Sequence, residues 1–315
     1  MNPKTYASRL LTSFLLASTT SMVLIHAATN PPVVALPLLP TPTLSNVVYG
    51  PYERNVFDLW LAKSDKPTPL FVYIHGGGWR GGDKSALPPH LLQFMLDHGV
   101  SVASINYRYS DKAMLPAPVH DAARAVQFLR SRAKEWNLNK DRVAAMGGSA
   151  GACTTLWLAY HDDLVSPRSA DPVLRESSRL CAGVGVAGQT SIDPEIIVPW
   201  VGENVMKHGM IWRAVGATNQ VEVKLRYAEY RDLYHEFSPI NHVSAGDPPV
   251  FLLYSPATPL PAPDAGTAIH HAALGIHLKA KADEIGVVCV MQYEEKPDQG
   301  SKAASEFLLK QLTKP

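Results

Sequence analysis

Two short stretches of this 315-residue chain hold residues whose types and spacing suit acyl transfer. The first is Gly147-Gly148-Ser149-Ala150-Gly151, a G-x-S-x-G pattern. A serine hydroxyl is a weak nucleophile until a neighbouring base takes its proton. The setting gives the pattern its meaning: residues 143–146 read as a short apolar strand, and a helix starts near Ser149 and runs to about Tyr160. A strand-to-helix turn this sharp crowds its flanks, which Gly147 and Gly151 relieve, and it lifts the Ser149 hydroxyl clear of the sheet. The helix start behind Ser149 offers free N–H groups and a positive dipole end to a developing oxyanion. The second stretch is His75-Gly76-Gly77-Gly78-Trp79, at the end of the apolar run 70–74. Glycines there let the backbone come close to a substrate. We assign Gly77, Gly78 and Ala150 as oxyanion-hole donors, each able to contribute roughly 2.7–4 kcal/mol to transition-state stabilisation.

H-G-G-G-W followed by G-G-S-A-G resembles the esterase branch of the α/β-hydrolases. That branch includes hormone-sensitive-lipase-like enzymes, kynurenine-formamidase-like enzymes, and bacterial acetyl xylan or feruloyl esterases. The resemblance runs from about residue 46 to the C-terminus and takes in Asn106-Tyr107-Arg108-Tyr109 and residues 116–121. It implies that those two segments brace the sheet, that His75 packs rather than catalyses, and that the chain order is Ser, then Asp, then His.

The acid and the base are not where that order places them. Thr258 stands at the expected acid position after the strand 250–254, and no histidine follows Gly286. His271 is therefore our first choice for the base and His270 the second, with Asp264 as the acid that orients it. Helix starts on this side of a parallel sheet point toward the site. Adjacent helical residues point about 100° apart, so only one of the two histidines can face the cleft. Asp193 is another candidate acid. The competing reading makes His270 and His271 ordinary helix-start residues.

Short apolar runs that alternate with helical segments position these residues. Strands are expected at 56–61, 70–74, 100–105, 143–146, 181–186, 250–254 and 287–293. Helices are expected at 88–98, from 119 to about 136, from 149 to about 160, at about 269–285 and at 301–312. This alternation predicts an α/β-hydrolase fold: a mostly parallel central sheet with helices on both faces. Residues 194–240 break the rhythm and read as a small helical cap insertion or a long covering excursion. Their aromatic residues line an acyl or sugar pocket, or serve as core.

The net charge of +1 gives no basic field for nucleic acid. Residues 1–28 have the form of a signal peptide: Lys4 and Arg9, an apolar run, then Ala27 and Ala28. Residues 29–45 are a Pro-rich linker, and the hydrolase domain is expected over 46–315. A secreted or periplasmic protein with no membrane attachment after signal removal follows. Cys153, Cys181 and Cys289 read as free thiols, with a Cys153–Cys181 bridge the alternative. His161-Asp162-Asp163 ends the helix behind Ser149 without a cysteine or second histidine at ligand spacing, and reads as a solvated helix end. His242 reads as a loop cap. No metal or cofactor is expected. The function expected is hydrolysis of carboxylic esters, small or on acyl-decorated polysaccharide, by Ser149 with an atypical or incomplete triad. The alternative is a non-catalytic protein of the same fold that binds a carbohydrate or small ligand. The oligomeric state is not legible.

Overall fold

The computed structural model describes residues 39–314. The expected signal peptide and the linker as far as residue 38 lie outside the described residues. Eight strands form one sheet: β1 (Leu44–Val48), β2 (Val56–Trp60), β3 (Thr68–Ile74), β4 (Ser101–Ile105), β5 (Leu138–Gly148), β6 (Ala182–Val186), β7 (Val250–Tyr254) and β8 (Cys289–Tyr293). Their spatial order is β1-β2-β4-β3-β5-β6-β7-β8. The β1–β2 and β2–β4 pairs are antiparallel, and every pair from β4 onward is parallel. All residues of β4, β6 and β7 are buried, as befits strands covered on both faces.

β3 shows how the two faces are filled. Leu70, Val72 and Ile74 join a core that also holds Val126 and Leu129 of α2 (Ala117–Ser131) and Cys153 and Trp157 of α3 (Ala150–Tyr160). Phe71 and Tyr73 point the other way, to Leu91, Leu92 and Met95 of α1 (Pro89–Asp97) and to Leu308 and Leu312 near the C-terminus. Successive strand side chains alternate between faces, so one continuous apolar run supplies both cores. α3 is buried along its whole length, which is why it carries no polar stripe.

Between β6 and β7 the chain forms α4 (Pro194–Val201), α5 (Gly209–Arg213), α6 (Gln220–Leu225) and α7 (Tyr227–Glu236). Met206, Met210, Ile211 and Tyr234 from this insertion enter the same core as Val72 and Ile74. The Tyr234 hydroxyl donates to the Ile211 carbonyl at 2.8 Å, which closes α7 onto α5. Trp200 stacks on His277, 3.9 Å between ring centroids. The aromatics of the insertion thus serve packing, and none of them lines the cleft at Ser149.

β7 is followed by α8 (Ala265–Ile269), α9 (Ala272–Ile285), β8 and α10 (Lys302–Leu312). Several features differ from the sequence expectation, among them the end of α2 at Ser131 rather than near residue 136. The helix expected over 269–285 is α9, starting at Ala272, and a separate short helix, α8, ends just before it, with His270 and His271 between the two. β5 starts at Leu138, earlier than its apolar end suggested. β1 pairs along the sheet edge from Leu44, beside the end of the Pro-rich stretch. The last residues of that stretch are bound to the sheet: the Trp60 indole donates to the Pro40 carbonyl at 2.7 Å, and Leu39 packs on the core. Cys153, Cys181 and Cys289 are free thiols. Among the described residues no helix is long and apolar enough to cross a membrane.

Candidate active site

Ser149 alone makes the turn between the end of β5 at Gly148 and the start of α3 at Ala150. It does so with φ 52° and ψ −122°, a conformation that residues with a side chain rarely adopt. The neighbouring backbone enforces it. A Cβ on Gly147 would lie 2.3 Å from the Gly151 carbonyl carbon, and one on Gly151 would lie 2.2 Å from the Ile74 oxygen. The ends of β3 and β5 and the first turn of α3 are therefore wedged together with no room for side chains. The Ser149 N–H donates to the Val186 carbonyl at 2.9 Å, which ties the elbow to β6 as well.

The loop after β3 lies on this elbow. A Cβ on Gly76 would meet the Gly148 oxygen at 2.7 Å and the Ser149 Cβ at 3.5 Å. Gly77 has φ 102° and Gly78 φ 62°, so the loop turns back within two residues. Among the described residues, no backbone hydrogen bond uses the N–H of Gly77, Gly78 or Ala150. The Ala150 N–H, in the first turn of α3, is without an internal partner because helix starts lack them.

His75 braces this loop. Its ring is buried and stacks on Tyr107, with centroids 4.3 Å apart. Nδ1 donates to the Gly76 carbonyl at 2.8 Å, and Nε2 accepts from Arg54 at 3.3 Å. Burial pulls its pKa down to about 4; the Arg54 charge adds to this and the Gly76 bond opposes it. The Tyr107 hydroxyl donates to the His75 carbonyl at 2.8 Å. Arg108 grips the buried Asp121 with two bonds of 2.8 and 2.7 Å. Tyr107 thus holds the loop after β3, and Arg108 ties the segment 106–109 to Asp121 of α2.

The histidine that meets Ser149 is His270. Its Nε2 lies 2.9 Å from Ser149 Oγ, and its Nδ1 lies 3.0 Å from the Gly266 carbonyl oxygen. A carbonyl only accepts, so Nδ1 carries the proton and the Nε2 lone pair faces the hydroxyl. Burial lowers the His270 pKa below its ordinary 6.5, and the Gly266 bond partly offsets this.

Our first choice, His271, is turned away. It is the extended N-cap of α9, with φ −67° and ψ 138°. Its Nδ1 accepts from the Ala273 N–H at 3.0 Å, and its Nε2 donates to the Thr258 carbonyl at 3.0 Å. The helix break explains the inversion. His270 closes α8 and His271 opens α9, so the angle between neighbours in one helix never applied. Asp264 does not orient His270 either. It is the exposed N-cap of α8, bound to the Thr267 N–H and hydroxyl at 2.8 and 2.9 Å, and those bonds hold its pKa below the usual carboxylate value. Asp193 caps α4 and accepts from the Tyr227 hydroxyl at 2.9 Å, with burial raising its pKa. Among the described residues, no carboxylate is hydrogen-bonded to His270.

A cleft of about 430 Å³ opens over the pair, lined by Gly76, Gly148, Val186, Ala187 and Gln299 among others. The sequence did not mark Gln299, which follows β8 in the segment where the resembled enzymes keep their histidine. Its amide nitrogen packs so closely on the elbow that a Cβ on Gly148 would lie 2.7 Å from it. Gln299 Oε1 is buried without a hydrogen-bond partner. His208, from the insertion, stands edge-on to His270 with ring centroids 6.2 Å apart, and burial lowers its pKa. No sequence signal distinguished either residue. The Gly266 carbonyl had a faint one: Asp264 three residues before Thr267 is a helix-start pattern that implies a short separate helix.

Comparison with known proteins bears on the family and the fold. The BD-FAE family model matches residues 57–271. Esterase LipQ of Mycobacterium tuberculosis is 27% identical over 265 residues, 79% of this chain and 58% of that protein. This chain spans little more than half the length of that relative. The structure of a truncated carbohydrate esterase from gut microbiota superposes with a TM-score of 0.68 at 21% identity, covering 86% of this chain and 96% of the other. The acetyl ester-xyloside bifunctional hydrolase of Caldicellulosiruptor lactoaceticus gives 0.63 at 20% identity, covering 87% and 94%. Both structural likenesses concern the α/β-hydrolase fold.

Proposed function

The chain belongs to the BD-FAE family, and on that premise we propose that it hydrolyses carboxylic esters with Ser149 as nucleophile and His270 as general base. The observation that carries this reading is the 2.9 Å contact between Ser149 Oγ and His270 Nε2 on a strained elbow. Ser149 attacks the ester carbonyl while His270 Nε2 takes its proton. The N–H groups of Gly77, Gly78 and Ala150 receive the oxyanion. The alcohol leaves with the proton from His270, and water then releases the acid by the same base.

The atypical part is the support of the imidazole. The Gly266 carbonyl fixes the tautomer, as a carboxylate would, but brings no negative charge to the imidazolium. In a serine triad, replacing the acid by an amide costs about 10⁴ in kcat because it imposes the wrong tautomer. Here the tautomer is the productive one, so a smaller handicap is expected. Catalysis needs neutral His270, and its lowered pKa puts the acid limb of kcat/KM below pH 6.5.

For the substrate we propose acyl groups on a hydroxyl-rich alcohol such as a plant or algal polysaccharide. Two relatives by structure are a carbohydrate esterase and an acetyl ester-xyloside hydrolase. In this chain Gln299 lines the cleft beside Ser149, and a side-chain amide there can hydrogen-bond a sugar hydroxyl. Export from the cytoplasm completes the proposal, resting on residues 1–28. N-terminal sequencing of the exported protein should find cleavage near Ala27 or Ala28; soluble cytoplasmic protein that retains Met1 would contradict export.

The activity test is turnover of acetylated xylo-oligosaccharide and of an aryl acetate by wild type and Ser149→Ala. Wild type should release acetate from both, and the variant from neither. That no carboxylate among the described residues is hydrogen-bonded to His270 is the observation that favours a non-catalytic carbohydrate-binding protein. Oligosaccharide binding without turnover by wild type would support that second reading and overturn the first.

A further inference from the structure

Three side chains from separate stretches meet at the end of α3 remote from Ser149. They are His161, which follows α3, Glu236, the last residue of α7, and His242, just after the turn at 239–241. His161 Nε2 lies 2.9 Å from Glu236 Oε1. The His161 and His242 rings are 4.8 Å apart at 61°. One ligand atom from each of the three residues lies within 4.8 Å of the others. The eleven residues of α3 place this cluster on the order of 16 Å from the nucleophile, at a rise of 1.5 Å per residue. Neighbours in sequence had suggested only a solvated helix end, because Glu236 and His242 arrive from the far side of the insertion.

The backbone around the cluster fixes which nitrogens are free. His161 Nδ1 lies 2.8 Å from the Asp162 carbonyl oxygen, and His242 Nε2 lies 2.5 Å from the Glu236 carbonyl oxygen. Carbonyls only accept, so those two nitrogens carry the protons. The lone pairs are left on His161 Nε2 and His242 Nδ1. His161 Nε2 thus faces a carboxylate oxygen across 2.9 Å, lone pair to lone pair, which is repulsive unless something electropositive lies between them. A proton on His161 is one solution. A metal ion is the other, with the two atoms parting from 2.9 Å to the roughly 3.4 Å that separates tetrahedral ligands, and His242 lies near enough to join them. A histidine whose second nitrogen donates to a backbone carbonyl is the usual orientation of a metal ligand.

We propose that His161, Glu236 and His242 bind one divalent transition-metal ion of the zinc class, with water completing the shell. Two imidazoles and one carboxylate suit zinc, whose ligands stand at about 2.0–2.2 Å. The three side chains are part-buried, so an ion reaches them from solvent. The site joins the exit of the insertion between β6 and β7 to the helix that starts at the nucleophile. The ion therefore anchors that insertion and takes no part in ester cleavage.

Trp157 makes the site observable. It stacks on His161 with centroids 4.0 Å apart, and its indole N–H donates to the Glu236 carbonyl at 2.9 Å. The experiment uses untagged full chain stripped with a chelator. Zn²⁺ is titrated by calorimetry, and Cu²⁺ by quenching of tryptophan fluorescence. One equivalent of Zn²⁺ should bind per chain and raise the thermal midpoint by several degrees, and Cu²⁺ quenching should saturate at one equivalent. His161→Ala, His242→Ala and Glu236→Gln should each weaken binding at least tenfold, whereas the exposed neighbour His235→Ala should not. Glu236→Gln keeps the shape of the side chain, so it decides the matter if a histidine variant folds poorly. No saturable Zn²⁺ binding by wild type would overturn the site and leave a protonated His161–Glu236 ion pair. Equal affinity in wild type and Glu236→Gln would also overturn it.

Discussion

Ser149 and His270 meet at 2.9 Å, yet the two sides of that contact are held by different means. On the serine side, β3, β5 and α3 press backbone against backbone, and a single added Cβ would fall within 2.3 Å of a neighbouring atom. On the histidine side, a five-residue helix positions the ring with one bond to a carbonyl four residues earlier. The difference teaches what each half must do. An oxyanion hole needs several backbone donors fixed together, which the packed ends of β3, β5 and α3 favour. A base needs one nitrogen in one place, which a turn can supply.

The first way to break this comparison is to remove the base. His270→Ala should lower kcat by about 10³-fold or more, the scale seen when a base that works as a unit with its nucleophile is deleted. His271→Ala and Asp264→Ala should stay within about tenfold of wild type, because neither touches the pair. Steady-state ester turnover checks all three. An equal loss in His271→Ala would restore our first choice from the sequence.

Next comes a contrast between glycines. Gly147→Ala forces a Cβ against Gly151 backbone and should cost about 3 kcal/mol or more, read as a lower denaturation midpoint. Gly266→Ala meets only the Asp264 carboxylate oxygen at 3.3 Å and keeps its carbonyl, so its stability should change by less than about 1 kcal/mol with turnover retained. Equal costs at both positions would erase the distinction between the two halves.

The serine side also carries a pH signature. His75 has a pKa lowered from 6.5 to about 4 in the folded protein, so the unfolded chain binds a proton that the folded chain refuses. Its contribution to stability is complete above pH 6.5 and is lost as pH falls from 6.5 toward 4, by up to about 3 kcal/mol. Denaturation measured across that window in wild type and His75→Gln should show a steeper loss in wild type. A smaller loss belongs to the histidine side. Asp264→Ala removes the cap of α8 and should cost about 1 kcal/mol.

The same contrast explains what was legible in the sequence. The fold and the serine side could be read because their signals are local and forced. Ile74 leads into His75-Gly76-Gly77-Gly78, Met146 leads into Gly147-Gly148-Ser149, and the continuous apolar run of β3 supplies two cores at once. The histidine side could be narrowed to two adjacent residues but not resolved between them. That choice depended on a helix break at His270 and His271, and the apolar spacing of 269–285 runs through the break without a mark. Gln299 and His208 enter the site by tertiary packing alone. Glu236 and His242 approach His161 only once the insertion has folded back.

The central claim is that His270, not His271, activates Ser149. The most direct measurement is the rate at which an active-site serine phosphonate labels Ser149 in wild type, His270→Ala and His271→Ala, with the site of attachment read by mass spectrometry. The account predicts rapid labelling of Ser149 in wild type and His271→Ala, and a loss of orders of magnitude in His270→Ala. Undiminished labelling of His270→Ala, or attachment at a residue other than Ser149, would contradict it.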